Sequence, residues 1–254
     1  MIGVLGGSGF YEFLDEAREI EIDTPYGEPA APFSVGTVDG VEIAFLPRHG
    51  RDHEYPPHQV PYRANVWGMR ELGVTCVIGT CAVGSLTSNF EPGHFVVCDQ
   101  LVDRTSGRAA TFFDGPESRH ISLADPYCEE LRSLAVDAIQ RTGATVHGRA
   151  TVVVISGPRF STRAESRFYS TQGWGVVNMT QAPEVALTRE LDMCYVNISV
   201  VTDYDAGVVG GTAPVTHDEV LRQLGASVDT LREGVGYLIA AIAAGEICPG
   251  HGSA

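Results

Sequence analysis

The sequence contains no lysine: its 17 basic residues are all arginines, set against 32 aspartates and glutamates. This absence excludes reactions that need a lysine side chain, such as Schiff-base chemistry, a pyridoxal anchor or the lysine of a Walker phosphate loop. The net charge of −15 repels nucleic acid backbones and anionic membranes. An anion that binds this chain must therefore be held by a local arrangement of donors. We predict no nucleic-acid partner.

Long apolar runs are also missing. No stretch of the sequence approaches the roughly 18–20 uncharged residues that span a bilayer. The N-terminal residues have neither the basic segment nor the small-residue cleavage site of a secretory signal. We therefore expect a cytoplasmic protein with no membrane partner.

Cysteine is sparse, with six residues in the chain. Four of them lie in apolar, strand-like surroundings, namely Cys76, Cys81, Cys98 and Cys194. In a long cytosolic chain this distribution favours reduced thiols in the core over a disulfide framework.

The length of 254 residues suits one large α/β domain, and no linker or change of composition divides it. We predict a single domain over residues 1–254, in which 245–254 form a flexible tail. Cys248 and His251 in that tail offer only two metal ligands, which make a weak site. We predict no metal.

Short apolar runs rich in valine and isoleucine alternate with segments of helical periodicity. The predicted strands cover residues 1–5, 41–46, 74–79, 94–98, 150–155, 175–178 and 194–201, and the predicted helices 62–72, 128–142, 163–172, 182–191 and 216–244. This alternation indicates an α/β fold with a largely parallel or mixed sheet covered on both faces. Ligands of such sheets bind at the carboxyl ends of strands. Because polar or glycine-rich loops follow six of these strands, we predict one composite site.

The loop at residues 6–9, Gly-Gly-Ser-Gly, follows the first strand directly. Consecutive glycines let backbone N–H groups point into one concavity that suits an anion, and Ser8 adds a hydroxyl donor. Glu12 stands where a dinucleotide-binding fingerprint has its third glycine. The loop is compatible with a plain tight turn as well as with an anion site.

The segment at residues 47–53, Pro-Arg-His-Gly-Arg-Asp-His, is denser in polar groups. Arg48 offers a planar fork for a phosphate, and His49 can donate a hydrogen bond beside it. A solvated basic turn paired with Asp52 and Glu54 is the alternative. Three histidines nearby also suggest a zinc site, but a proline-rich loop lacks the fixed helical spacing of such sites.

Two further small-residue segments follow strands, at residues 79–86 and 157–165. The first is predicted to be a turn whose amides meet a phosphate or a base edge. Its alternative is close packing of strand against helix. In the second, Phe160 either stacks on a flat ligand or fills the core.

Asp203 and Asp205 end the last predicted strand, and a spacing of two in an extended segment directs both to one side. Neighbouring carboxylates raise each other's pKa, so that one can hold a proton near neutrality, as a general acid requires. A calcium-like loop and a turn with solvated acids are the alternatives. The chain lacks the further oxygen ligands of an EF-hand.

Taken together, these motifs resemble the methylthioadenosine phosphorylase family, a branch of the trimeric purine nucleoside phosphorylases. The resemblance runs from residue 1 to about residue 235 and is carried by residues 6–9, 48–51, 82–86, 99–105, 157–161, 178–184 and 202–205. It implies a mixed β-sheet with a distorted barrel flanked by helices. It also implies phosphorolysis of 5′-methylthioadenosine to adenine and 5-methylthioribose 1-phosphate, as in nucleoside and methionine salvage. Phosphate is then the co-substrate and no cofactor is used.

The resemblance also implies roles for particular residues. The implied phosphate site comprises Ser8, Arg48, His49, Cys81, Ala82 and Thr180, and the implied substrate site comprises Phe160, Ser161, Met179, His53, His120, His217 and Val220. Asp203 and Asp205 are the implied catalytic residues. The assembly implied is a homotrimer or a dimer of trimers, in which His120 reaches the 5′ end of a nucleoside bound by the neighbouring subunit.

Two positions depart from the family pattern. Cys81 stands where the family usually has a phosphate-binding threonine, so this contact is lost or comes from the backbone. His217 stands where methylthio-specific members have an apolar residue and resembles a histidine that holds a 5′-hydroxyl. We therefore expect adenosine to be a possible second substrate.

Three other functions remain open from the sequence. The first is a 6-oxopurine nucleoside phosphorylase acting on inosine, guanosine or methylthioinosine, against which Asp203 argues because a carboxylate accepts from a 6-amino group. The second is a hydrolase that uses water in place of phosphate. The third is a non-catalytic nucleotide-binding module, which has no use for a protonatable acid beside an anion site.

Overall fold

A computed structural model describes residues 1–10, 12–14, 16–206, 208 and 214–245 of the chain. Its strands are β1 (Ile2–Gly6), β2 (Ala17–Ile20), β3 (Phe33–Val38), β4 (Val41–Pro47), β5 (Cys76–Ser85), β6 (Phe95–Val96), β7 (Gln100–Arg104), β8 (Val146–His147), β9 (Thr151–Ile155), β10 (Val176–Asn178) and β11 (Cys194–Tyr204). Its helices are α1 (Tyr62–Glu71), α2 (Glu129–Arg141), α3 (Arg163–Thr171), α4 (Gln181–Glu190) and α5 (His217–Ala244). All predicted helices are confirmed within two residues of their ends. The predicted tail lies, apart from Gly245, outside the described residues.

All strands belong to one mixed sheet. Its main path is β2-β3-β4-β1-β5-β10-β9-β7, and β11 branches from β5 to pair with β6, which pairs with β8. β1 runs parallel to β4 and β5, whereas β10 runs antiparallel to β5 and parallel to β9. The predicted mixed sheet with flanking helices is thus confirmed. The pairing of the described strands does not close into a ring, so the barrel implied by the resemblance is not a closed one.

The central strands β5 and β11 are longer than predicted and pair in parallel along almost their whole length. The prediction of a turn at residues 79–86 is wrong, because β5 continues to Ser85. The small residues there allow close packing instead: a Cβ on Gly79 would lie 2.3 Å from the hydroxyl oxygen of Tyr195. A register shift between Val201 and Asp203 then bends the end of β11.

Helices cover both faces of the sheet. Alternate residues of β5 face opposite sides: Val77 packs in the cluster that contains Met69 of α1, and Ile78 packs in the cluster that contains Leu131 of α2. α4 joins the first cluster and α5 the second. Burial of these apolar faces holds the strand ends, and the loops that follow them, in fixed positions.

Two helices begin with side-chain caps. The hydroxyl of Thr216 accepts the backbone N–H of Glu219 at 3.3 Å, as the sequence predicted for α5. Thr162 and Glu165 form a reciprocal capping box at α3. None of the helices in the described chain has the length and apolarity needed to cross a membrane. The five described cysteines are all buried and unbridged.

Candidate active site

A cavity of about 310 Å³ opens where the carboxyl ends of the strands meet. It is lined by loops or strand ends from β1, β4, β5, β9, β10 and β11, and by the first turn of α5. The predicted site residues that line it are Ser8, Arg48, His49, His53, Cys81, Ala82, Phe160, Ser161, Met179, Thr180, Asp203, Asp205, His217 and Val220. The structure therefore brings together every predicted site residue except His120.

The glycine loop after β1 forms one wall of the cavity and is also a tight turn. The Phe10 N–H donates to the Gly7 carbonyl at 3.0 Å, and Gly9 has a φ of 75°, which favours glycine. The Gly7 N–H donates to the Thr80 hydroxyl at 3.1 Å. Because that N–H is already engaged, an anion at this wall would meet Ser8 rather than Gly7.

Arg48 lines the cavity but is almost wholly shielded from solvent, and Glu184 of α4 holds its guanidinium. Its Nε donates to Glu184 Oε2, and its Nη2 donates to Glu184 Oε1 at 2.8 Å and to the Leu5 carbonyl at 3.3 Å. Its Nη1 donates to the Thr80 carbonyl at 2.9 Å. A guanidinium has five N–H groups, so one N–H on Nη1 remains for a ligand.

The predicted bidentate fork of Arg48 toward phosphate is therefore corrected, because the fork binds Glu184. Burial lowers the pKa of Arg48, but the charge and hydrogen bonds of Glu184 outweigh it and hold the pKa above its usual value. The Tyr195 hydroxyl also donates to Glu184 Oε1, at 2.6 Å. Removing one member of such a pair is costly because it leaves a buried charge uncompensated.

His49 is buried beside Arg48 and has a defined tautomer. Its Nδ1 lies 2.8 Å from the Tyr55 carbonyl oxygen, which can only accept, so Nδ1 carries the hydrogen. Burial and the neighbouring Arg48 charge lower the pKa of His49 to about 3. The neutral ring then presents an accepting Nε2. The predicted donation from His49 is therefore corrected: this nitrogen donates only after it takes up a proton.

His53 and His217 continue from His49 toward the start of α5. The His53 ring stacks on His49 with centroids 4.5 Å apart and lies 6.1 Å from the ring of His217. His53 adopts a φ of 59°, which is uncommon for a residue other than glycine. Val220, one turn further along α5, is buried. This wall therefore offers both polar and apolar surface.

Cys81 lines the cavity, and its thiol is engaged by polar side chains of the core. Its Sγ donates to Asn197 Oδ1 at 3.2 Å and lies 3.4 Å from the Ser199 hydroxyl, so it is engaged in the core. Burial raises the pKa of this thiol. Of the two options left by the sequence, a contact from the backbone alone fits this arrangement.

Thr180 begins α4 at the same end of the cavity. Its backbone N–H donates to Asn178 Oδ1 at 2.7 Å, and its hydroxyl lies 3.4 Å from the same oxygen. Because the hydrogen bond from this hydroxyl is long and therefore weak, a ligand can replace it.

Phe160, Ser161 and Met179 also line the cavity. Phe160 is half-buried and belongs to none of the buried apolar clusters in the described chain, which favours stacking on a ligand over core filling. Gly157 has a φ of 62°, and a Cβ there would lie 2.6 Å from the sulfur of Met179. Ser161 is buried in this wall of the cavity.

Asp203 and Asp205 both face the cavity, as predicted. The pKa of Asp203 is raised to about 7, mainly by burial and also by the charges of Asp205 and Glu219. The Thr202 hydroxyl, which donates to Asp203 at 2.8 Å, opposes this rise. Desolvation, rather than the pairing of carboxylates, is thus the main cause. Burial also raises the pKa of Asp205, although the Ser166 hydroxyl donates to its Oδ2.

His120 does not line the cavity of its own chain. It is exposed on the segment between β7 and α2. The implied role of His120 in a neighbouring subunit therefore stays a prediction.

Three partners that organise the anion end could not be recognised from the motifs. Glu184 holds Arg48, the Tyr55 carbonyl sets the His49 tautomer, and Asn178 accepts the N–H groups of Thr180 and Gln181. Glu184 could have been noticed, because it is a carboxylate among buried residues of a helix. In the described chain, no group of three or more histidine, cysteine or acidic side chains is placed to hold a metal.

The fold and the cavity together define a class. The chain belongs to the phosphorylase superfamily, whose family model matches residues 1–239.

Within that superfamily, the chain is similar to proteins named as purine nucleoside or methylthioadenosine phosphorylases. It is 56% identical over 215 residues to S-methyl-5'-thioadenosine phosphorylase of Mycolicibacterium smegmatis, covering 84% of this chain and 80% of the relative. It is 51% identical over 252 residues to purine nucleoside phosphorylase of Streptomyces coelicolor, covering 96% and 88%. Methylthioadenosine phosphorylase of Schistosoma mansoni, solved with adenine, superposes with a TM-score of 0.92 at 37% identity, covering 96% and 92%. The family resemblance predicted from the motifs is confirmed.

Proposed function

We propose that this chain catalyses phosphorolysis of 5′-methylthioadenosine to adenine and 5-methylthioribose 1-phosphate. The observation that carries the proposal is that one cavity contains both donors for an oxyanion and a carboxyl group that can hold a proton. One end, at Ser8, Arg48 and Thr180, offers donors to an oxyanion, and the other end holds Asp203 with a pKa of about 7. The three relatives described above are likewise named as phosphorylases of methylthioadenosine or of purine nucleosides.

The proposed reaction follows the charges that develop. As the C1′–N9 bond stretches, the ribose becomes cationic, and the bond's electron pair moves onto the purine. Phosphate at the anion end stabilises the cation and forms the new O–C1′ bond. Protonated Asp203 donates its proton to N7, which makes the purine a better leaving group.

The remaining residues bind and orient the nucleoside. We assign Phe160 to stacking on the base, Met179 to the face of the ribose, and Ser161 with Asp205 to the edge of the purine. His53, His217 and Val220 line the wall assigned to the 5′ substituent. Because His217 is polar, adenosine is proposed as a second substrate.

The base preference rests on hydrogen bonding. Adenine presents an amino donor at position 6, which a carboxylate oxygen accepts, whereas hypoxanthine and guanine present a carbonyl. A mismatched buried polar pair costs about 1–3 kcal/mol. Asp203 and Asp205 therefore favour 6-aminopurines.

A 6-oxopurine nucleoside phosphorylase is the second candidate. It is favoured by the identity of 51% to the Streptomyces coelicolor enzyme, which is named simply as a purine nucleoside phosphorylase. With a pKa of about 7, protonated Asp203 can also donate to a 6-carbonyl.

A side-by-side assay tests the proposal. Methylthioadenosine, adenosine and inosine are each incubated with and without phosphate, and the released base is quantified, with Asp203→Ala as the inactive control. We expect release only with phosphate and fastest for methylthioadenosine. Release without phosphate would indicate a hydrolase, faster release from inosine would favour the second candidate, and binding without release would indicate a nucleotide-binding module.

We further propose that the whole chain acts as one domain in a cytoplasmic homotrimer or dimer of trimers. The exposed position of His120, outside the cavity of its own chain, supports a role across a subunit interface. Light scattering measures the mass of the assembly. Refolding His120→Ala chains together with Asp203→Ala chains should give more turnover than the two variants separately, because some sites regain both residues.

A further inference from the structure

The anion end of the cavity contains two basic side chains, yet neither supplies an unpaired positive charge. Both carboxylate oxygens of Glu184 bond the Arg48 guanidinium, so this buried pair is neutral as a unit. One N–H on Nη1 remains for an anion. Such a site holds an oxyanion mainly by dipoles, and the protonation state of His49 then matters.

The tautomer of His49 follows from geometry. Its Nδ1 hydrogen is committed to the Tyr55 carbonyl at 2.8 Å, so Nε2 is the ring nitrogen left for a ligand in the cavity. In the neutral ring Nε2 carries a lone pair and accepts. A fully deprotonated oxyanion oxygen also only accepts, so the two atoms repel unless a proton lies between them.

The groups that surround His49 keep the free ring neutral. Burial, the adjacent Arg48 charge and the ring of His53, stacked at 4.5 Å, together lower its pKa to about 3, against the hydrogen bond to the Tyr55 carbonyl, which raises it. His217 of α5 lies beyond His53, with centroids 6.1 Å apart.

Three acidic side chains near His49 could in principle raise its pKa. Glu184 of α4 is committed to Arg48, and Glu54 acts on His53 rather than on His49. Asp203 of β11 lines the same cavity but has a pKa of about 7. None of them raises the pKa of His49 to neutrality.

We propose that His49 Nε2 and the bound oxyanion share one proton, so that the site accepts hydrogen phosphate with its own proton but accepts sulfate only with a proton taken from solvent. This inference rests on the proposed function, because it assigns phosphate to this end of the cavity. It makes His49 a residue that discriminates between oxyanions by their protonation.

The same assignment balances the protons of the reaction. When an oxygen of hydrogen phosphate forms the bond to C1′ and the electron pair of C1′–N9 leaves with the purine, the phosphate proton passes to Nε2 and then to solvent. Asp203 loses its proton to N7 and regains one from solvent. The products are the sugar phosphate dianion and neutral adenine, with no net proton consumed.

Equilibrium binding of the two anions tests the proposal. Between about pH 7.5 and about pH 9, the ratio of the sulfate Kd to the phosphate Kd should rise about tenfold per pH unit, because only sulfate binds with proton uptake. The ratio cancels the ionisation of Asp203, which affects both anions. Calorimetry at about pH 8 in two buffers of different ionisation enthalpy should give uptake of about one proton with sulfate and about none with phosphate.

Two variants sharpen the test. His49→Gln keeps a hydrogen-bonding group that does not titrate, so the ratio should become independent of pH. His147→Gln changes a half-buried histidine outside the cavity and should keep the wild-type slope. If His49→Gln does not fold, the calorimetry of the wild-type chain decides alone.

The outcomes separate this inference from the proposed function. A flat ratio without proton uptake, in an enzyme whose base release depends on phosphate, overturns the inference alone. Proton uptake with sulfate but no phosphate-dependent release supports the inference and overturns the function. Failure of both anions to bind overturns both.

Discussion

At the anion end of the cavity, the fully buried Arg48 keeps its charge because two oxygens of Glu184 bond it. At the base end, the partly buried Asp203 has the Thr202 hydroxyl as its hydrogen-bond partner among the described residues, and burial raises its pKa to about 7. Desolvation opposes charge at both ends. The two ends differ in the partner of the buried group, which is a carboxylate for Arg48 and a neutral hydroxyl for Asp203.

This difference separates two tasks. A paired arginine does not change its protonation in the range where proteins function, so it can position an anion at any pH. A carboxyl group that lacks a cationic partner and has a pKa near neutrality can both hold and release a proton, as a general acid must. The comparison therefore explains why one cavity contains a fixed charge and a titrating one.

The largest expected effect comes from removing the titrating group. Asp203→Ala should lower kcat for methylthioadenosine about 10²–10⁴-fold, because no group then protonates N7. The free energy of unfolding should change little. Asp137→Ala, on the exposed face of α2, is the matched control and should keep full activity. Near-normal turnover of Asp203→Ala would remove the residue from the chemistry.

Breaking the fixed pair should affect folding instead. Glu184→Gln leaves the Arg48 cation unpaired in the core and should lower the free energy of unfolding by about 3–5 kcal/mol. Urea denaturation measures this change, with the exposed Glu130→Gln as the control. A loss below about 1 kcal/mol, the range of a surface pair, would contradict the role assigned to Glu184.

Asp203→Asn should change which base is preferred. An amide can donate to a 6-carbonyl, so the ratio of kcat/KM for inosine over methylthioadenosine should rise about tenfold to over a hundredfold. Steady-state kinetics on both nucleosides gives the ratio. If this variant retained full activity on methylthioadenosine, the proton-donor role would be wrong.

The smallest expected effect lies at the 5′ wall. His217→Val exchanges a polar group for an apolar one, and we expect preference for methylthioadenosine over adenosine to improve by about tenfold. Unchanged selectivity would place His217 outside the 5′ pocket.

The helices and most of the sheet could be predicted from the sequence because their apolar periodicity is strong. The strands β2, β3, β7 and β8 were not predicted. The edge strands β2 and β7, with the sequences Ala-Arg-Glu-Ile and Gln-Leu-Val-Asp-Arg, are rich in polar residues and largely uncovered. Both strands are stabilised by backbone hydrogen bonds, β2 with β3 and β7 with β9, and this pairing leaves no pattern in the local sequence.

The site could be located from the sequence because its residues follow strand ends. The sequence also predicts a protonated carboxyl at Asp203 or Asp205, but it does not reveal the partners of Arg48 and His49, which only the fold brings into contact. Arg48 and Glu184 are 136 positions apart, so the sequence does not reveal that the fork of Arg48 is occupied. The His49 tautomer depends on a backbone carbonyl, whose position only the folded loop determines.

The pH dependence of kcat/KM for methylthioadenosine at saturating phosphate tests the central claim most directly. The proton-bearing form of Asp203 is the active one, so the account predicts a plateau below about pH 7 and a fall of about tenfold per pH unit above it. In Asp203→Asn this limb should disappear. A wild-type profile that stays level from about pH 6 to about pH 9, or an identical limb in Asp203→Asn, would contradict a proton donated by Asp203.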